Sequence, residues 1–189
     1  MSDLSDIRTK VRSLIGDFSK SLVPGDIFTY VSSSVFTLTE IAVSISTVLK
    51  NDAALATSGA YTFSSSRNQL TITGSLTVGD TVEVQYSYFP NYTNTELDEY
   101  IKSSLTHLSA NRYYTFLMDD NGEIHPDPRD TQIDLIAFIT AIIIEPDNRT
   151  YRLPDLTINV PKSMPTNDLI RKAISIFKKD STGVISIIG

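Results

Sequence analysis

His107 and His125 are the only neutral-pH bases and strong nitrogen ligands in this chain of 189 residues. His107 stands between Thr106 and Leu108 in a helical pattern, where a surface or helix-packing role is the plain expectation. His125 keeps company with Asp119, Asp120, Glu123 and Asp127 in the stretch DDNGEIHPDP, which raises the question of a hard-cation loop. Aligning Gly122 with the glycine of an EF-hand puts Leu117 at the first ligand position and Pro128 at the last. Neither side chain offers an oxygen, so the stretch reads as a turn with solvated acids.

Other chemistry finds less support. Ser175 and Lys178 have the spacing of a serine–lysine pair but no companion motif. GxxxxGK[ST] and GxSxG sequences are absent, so neither a phosphate-cradling loop nor a nucleophile elbow is expected. Without cysteine there are no disulfides, no thiol nucleophile and no thiolate metal site. The expectation is a protein that is not an enzyme, with no catalytic, cofactor or metal residues.

The elements behind these residues begin with the stretch IDLIAFITAIII (133–144), broken only by Asp134 and Thr140. A helix with no wet face must be covered on all sides. Twelve residues are also too few for a bilayer, which asks for about twenty. A buried helix over 129–144 is therefore expected, closed by Glu145-Pro146. Three amphipathic helices would cover it. Leu4, Ile7, Val11, Leu14, Ile15 and Phe18 predict one over 3–20, with Arg8, Lys10 and Arg12 on other faces and Val23-Pro24-Gly25-Asp26 as its stop. Leu97, Ile101, Leu105 and Leu108 predict a second over 95–112, with Thr95 and Asp98 as a weakened capping box. Leu169, Ile170, Ala173, Ile174 and Phe177 predict the last, started near Pro165.

Between residues 27 and 89 the period changes to two. Ile41/Val43/Ile45, Tyr61/Phe63, Leu70/Ile72, Leu76/Val78 and Val82/Val84/Tyr86/Tyr88 alternate, separated by Asn51-Asp52, Ser58-Gly59, Arg67-Asn68 and Gly79-Asp80. Such runs predict antiparallel strands with one dry face. The segment Tyr113–Met118 fits a continued helix or a short extended run, while Tyr151–Pro161, with alternating Leu156, Ile158 and Val160, predicts an edge strand. The fold class expected is α+β: a bundle of about four helices (residues 1–26 and 90–189) with an inserted antiparallel β-sandwich or barrel (27–89).

Composition narrows the partners. Apolar residues make up 41% and charged residues 20%, ordinary for a globular chain. A net charge of −6 argues against general affinity for nucleic acid or anionic membranes. The charged, amphipathic opening MSDLSDIRTK does not read as a signal peptide, so the chain is expected to stay where it is made, and the N-x-T triplets at Asn91 and Asn148 to carry no sugar. Two features suggest contact surfaces. Tyr86, Tyr88, Tyr92, Tyr113 and Tyr114 could supply aromatic contact area, or could be half-buried. Val184, Ile185, Ile187 and Ile188 make an apolar, β-prone tail where chain ends are usually polar.

The opening IRTKVRSLIGD (7–17), the block from FTLTE through VLKNDAAL and YTF to LTITGSLTVGDTVEVQYSYF (36–89), the helix entry TNTELDEYIKSSLTHLS (93–109) and RLPDLTINVP (152–161) occur in a fixed order. This order resembles the head-to-tail connector, or neck adaptor, proteins of tailed bacteriophages. The β-block is longer than in the smaller helical adaptors. The resemblance implies a structural virion protein made in the host bacterial cytoplasm. It implies a homo-oligomeric, dodecameric ring docked under the portal protein, contacting the next neck or tail protein, with genomic DNA passing through and no membrane partner. An acidic wall suits such a conduit, because it repels phosphate. The tail, Val184 to Ile188, would add as a strand to the portal or to an adjacent subunit. A tail, baseplate or decoration component is the alternative, separated from the first by whether it co-purifies with portal; a carbohydrate-binding module is more distant, because this chain has no tryptophan.

Overall fold

The computed structural model describes residues 3–55, 59–146, 150–153, 156–159 and 164–180. They form an α+β protein in two compact units, one made of residues 1–17 and 94–189 and the other of residues 18–93. The expected seam at 26/27 and 89/90 thus moves outward on both sides.

In the first unit, helices α1 (Asp3–Ile15), α2 (Asn94–Ala110) and α4 (Thr166–Asp180) all pack on α3 (Asp130–Ile144). Every residue of α3 from Leu135 to Ile142 is buried, more than two full turns, so the helix has no wet side. Its cover comes from Leu4, Ile7, Val11 and Leu14 of α1, Leu97, Ile101, Leu105 and Leu108 of α2, and Leu169, Ile170, Ala173, Ile174 and Phe177 of α4. Each such aliphatic side chain contributes about 1.5–3 kcal/mol by leaving water. The two polar interruptions are both accommodated. Thr140 returns its hydroxyl proton to the Ile136 carbonyl at 2.8 Å, and Asp134 pairs with Lys10 of α1. Among the described residues no helix is long and apolar enough to cross a membrane.

Helix α1 is shorter than its apolar period suggests. Gly16, at φ +71°, takes the left-handed turn that ends a helix, and the Asp17 N–H closes back on the Arg12 carbonyl at 2.9 Å. Phe18, expected on the dry face, is 64% exposed, and Val23-Pro24-Gly25-Asp26, expected as the stop, lies inside a strand. Asp98 does not complete a capping box. It forms a bidentate pair with Arg8 across α1 and α2, at 2.7 and 2.6 Å. At α3 the capping logic does operate, since the Gln132 side chain accepts the Arg129 N–H at 2.8 Å. After α2 the chain is extended. Strand β8 (Leu117–Met118) pairs with β9 (Ile124–His125), and β10 (Thr150–Leu153) pairs with β11 (Leu156–Asn159), each pair antiparallel.

The second unit holds β1 (Lys20–Thr29), β2 (Val35–Thr37), β3 (Ala42–Lys50), β4 (Ala53–Ala54), β5 (Tyr61–Ser64), β6 (Gln69–Ile72) and β7 (Thr81–Tyr88). They make a four-stranded antiparallel sheet, β1-β7-β3-β4, and a three-stranded one, β2-β6-β5. Both sheets feed one apolar cluster: Phe36, Leu70 and Ile72 from the smaller, Ala42, Val48, Val82, Val84 and Tyr86 from the larger. The dry face expected over Ile41, Val43 and Ile45 is kept only at Ile45, which packs on this cluster. Bulges between Ala42 and Ser44 and between Ile45 and Thr47 shift the dry face, leaving Ile41 and Val43 exposed at 55% and 48%. Leu76 and Val78 lie in a loop, with Val78 73% exposed.

Two polar devices hold this unit's connections. Asn68 donates to the Leu38 and Glu40 carbonyls (3.0 and 2.8 Å) and accepts the Ala42 N–H (2.9 Å), so one amide satisfies the backbone joining β2 to β3. Tyr86 buries its ring completely, while its hydroxyl donates to Asp26 at 2.9 Å and accepts the Glu40 N–H at 3.0 Å.

Candidate interaction surfaces

Following α2, Arg112 adopts φ +54° and turns the chain back along the helix. Tyr113 is half-buried, and burial raises its pKa. Tyr114 is 46% exposed with its ring 4.8 Å from that of Phe116, whereas Phe116 itself is buried and Leu117 is 69% exposed. Leu105 and Phe116 sit in a groove edged by Lys102, Thr106, Ser109 and Thr115. Apolar floor and hydroxyl rim are the composition of a contact surface, and Lys102 is the groove's one ionisable side chain. Of the five tyrosines considered from sequence, Tyr114 alone is exposed. Tyr86 is fully buried, and Tyr88, Tyr92 and Tyr113 are half-buried.

Val184, Ile185, Ile187 and Ile188 lie outside the described residues. His107 is half-buried on α2, where its carbonyl accepts the Asn111 side-chain amide at 2.8 Å. Ser175 is on the exposed side of α4.

The stretch 119–125 is a turn with exposed acids, as expected, and it also brings three side chains together. Asp119, Glu123 and His125 converge at the end of the β8/β9 hairpin, their ligand atoms all within 4.8 Å of one another. His125 Nε2 stands 3.7 Å from Asp119 Oδ2 and 3.8 Å from Glu123 Oε2. Asp119 Oδ1 accepts the N–H groups of Asn121 (2.9 Å) and Glu123 (2.8 Å), and the Glu123 N–H holds the Asp119 carboxyl below the usual carboxylate range. An EF-hand template could not find this trio. The local signal that could was Asn121-Gly122 between the apolar residues Met118 and Ile124, which marks a hairpin and so brings residue 119 back beside 123 and 125.

The basic residues of α1, expected on faces other than the apolar one, clasp partners there. Arg8 holds Asp98, Lys10 holds Asp134, and Arg12, buried, pairs with the buried Asp17 while reaching Asn94 Oδ1 at 3.1 Å. No family model matches the chain, and no curated protein is similar to it in sequence.

Proposed function

We propose that this protein is a structural component of a tailed-phage virion, an adaptor that assembles as a homo-oligomeric ring, of twelve subunits as the resemblance implies, between portal and tail in the neck and lines the path of the DNA. The observation that carries the reading is the match between sequence blocks and structural elements. IRTKVRSLIGD covers α1 from Ile7 and its glycine stop, TNTELDEYIKSSLTHLS covers α2, RLPDLTINVP falls on the β10/β11 hairpin, and the long β-block belongs to the second unit. A helical unit built on a fully covered α3 supplies a rigid segment for stacking side by side. In this reading the two sheets form a small sandwich whose Ser- and Thr-rich outer strands face the next ring, and the net charge of −6 keeps phosphate from adhering to the channel wall.

Contact with portal falls to Val184, Ile185, Ile187 and Ile188, added as a strand, and to Tyr113 and Tyr114 as a further contact. Native mass measurement of the protein alone and mixed with its candidate portal tests the reading. The expected result is a ring that co-purifies with portal, and docking that is lost on deleting residues 183–189 while the monomer stays folded. A protein that stays monomeric with portal and is recovered instead with baseplate or capsid would overturn it in favour of a tail or decoration component.

A further inference from the structure

The β8/β9 hairpin carries three metal-ligating side chains that the proposed function does not use. Register pairs Leu117 with His125 and Met118 with Ile124, and the five intervening residues close through Asp119 N–H to Glu123 O (2.9 Å) and Gly122 N–H to Asp119 O (3.1 Å). Ile124 is buried at 3% exposure, which turns its neighbour His125 to the opposite, open face. The turn also has a firm seat. A Cβ built on Gly122 would lie 2.9 Å from Leu4 Cδ2, so the loop rests directly on α1.

We propose that Asp119, Glu123 and His125 bind one divalent d-block cation, with zinc the ion to test. Donor atoms around a tetrahedral zinc, each at about 2.1 Å, stand roughly 3.4 Å apart. The two gaps to His125, 3.7 and 3.8 Å, are close to that spacing, and the carboxylates lie within 4.8 Å of each other, so the exposed side chains must close on the ion. One imidazole with two carboxylates selects a borderline ion over calcium or magnesium, which take oxygen ligands. Asp119 is preset for the task. One oxygen is fixed by two backbone N–H groups, leaving the other directed at His125. Three protein ligands leave the remaining coordination to water, and the exposure of all three lets the ion enter from solvent.

Calorimetric titration of the full chain, free of any polyhistidine tag, with zinc alone tests this. The expected result is one site per chain with micromolar affinity, weakened by on the order of tenfold or more in His125→Ala and in Glu123→Gln. His107→Ala, the other histidine, binds as the parent does. Cobalt should give a visible absorption band that His125→Ala lacks, and circular dichroism verifies that each variant is folded. No micromolar uptake by the parent, equal uptake by His125→Ala, or loss of uptake in His107→Ala overturns the site and leaves the trio a surface ion pair.

Discussion

Arg12 and Asp17 form a buried ion pair at the end of α1, with side chains 6% and 0% exposed. Asp17 is the last residue of the helical unit before the chain enters the β-unit, and the second arm of the same guanidinium reaches Asn94, the first residue after it returns. One side chain therefore fastens both ends of the excursion to α1. Burial lowers the Arg12 pKa, and the charge of Asp17 opposes that shift, as expected of a cation that stays ionised because its partner is buried with it.

Replacing Arg12 by methionine keeps the packing volume but removes the cation facing Asp17. Taking away one member of a buried pair costs about 3–5 kcal/mol, so the helical unit should melt well below the parent. Arg12→Met with Asp17→Leu should recover a large part of that loss, because no charge is then stranded. Thermal denaturation of the three proteins, followed at 222 nm, measures both effects, and equal melting of parent and single variant would contradict the assignment.

Sequence alone reached the parts of this fold that depend on periodicity. The unbroken run 133–144 requires cover, and Leu97, Ile101, Leu105 and Leu108 share a face whatever they meet; all four are buried. What it missed depends on geometry outside the period. Leu14, Ile15 and Phe18 continue the helical spacing past Gly16, but a glycine at φ +71° ends the helix there. Ile41 and Val43 alternate correctly for a regular strand, yet a bulge re-aims them to solvent. That Arg8, Lys10 and Arg12 lie off the apolar face is legible in the period, but their partners are not, because these come from α2, α3 and the α1 exit. The approach of Asp119, Glu123 and His125 depends likewise on a hairpin, whose pairing a template of fixed loop positions does not contain.

Gly25 lies in the bulge of β1 between Leu22 and Asp26. A Cβ there would fall 2.0 Å from the Val84 carbonyl oxygen, which belongs to the central strand and cannot step aside. Gly25→Ala should therefore destabilise the β-unit by about 1–3 kcal/mol or more. Gly74→Ala is the matched control, since nothing lies within 4 Å of its Cβ, and it should shift stability by less than about 0.5 kcal/mol. Urea titration of both variants separates steric intrusion from the general effect of losing a glycine.

Burial pushes the Tyr86 phenol up to about 12 from an ordinary 10, aided by the Asp26 carboxylate that accepts its proton. The folded pKa is the higher one, so the stabilisation is complete below pH 10 and disappears as pH climbs toward 12. Tyr86→Phe removes that alkaline slope and, by leaving the Glu40 N–H without its acceptor, costs about 1–3 kcal/mol at neutral pH. Unfolding midpoints from pH 9 to 12 for both proteins are the measurement.

Asp80 behaves in the opposite sense. Its carboxylate accepts the Thr77 N–H at 2.7 Å and the Asn51 amide at 2.8 Å, and pairs with Lys50 at 3.0 Å; these hold its pKa down to about 2 from 3.8, the Thr77 bond most of all. A depressed folded pKa means stability present above 3.8 and lost as pH falls through 2. Asp80→Asn should flatten the acid limb of the stability curve in that window, and an unchanged acid limb would place the acid sensitivity elsewhere.

Because Arg12 holds Asp17 and Asn94 at once, the exit and re-entry points of the helical unit lie close together. A linker of about six glycines and serines reaches about 20 Å, ample for that gap. Replacing residues 18–93 with such a linker should leave the helical unit folded, since α3 draws its cover from α1, α2 and α4. Cooperative thermal unfolding and a helix-dominated circular dichroism spectrum would confirm an autonomous unit. The same deletion carries the functional question further. A shortened protein that still docks on portal but no longer recruits the following ring would assign that contact to the strands, whereas infectious particles built with it would remove the β-unit from the assembly altogether.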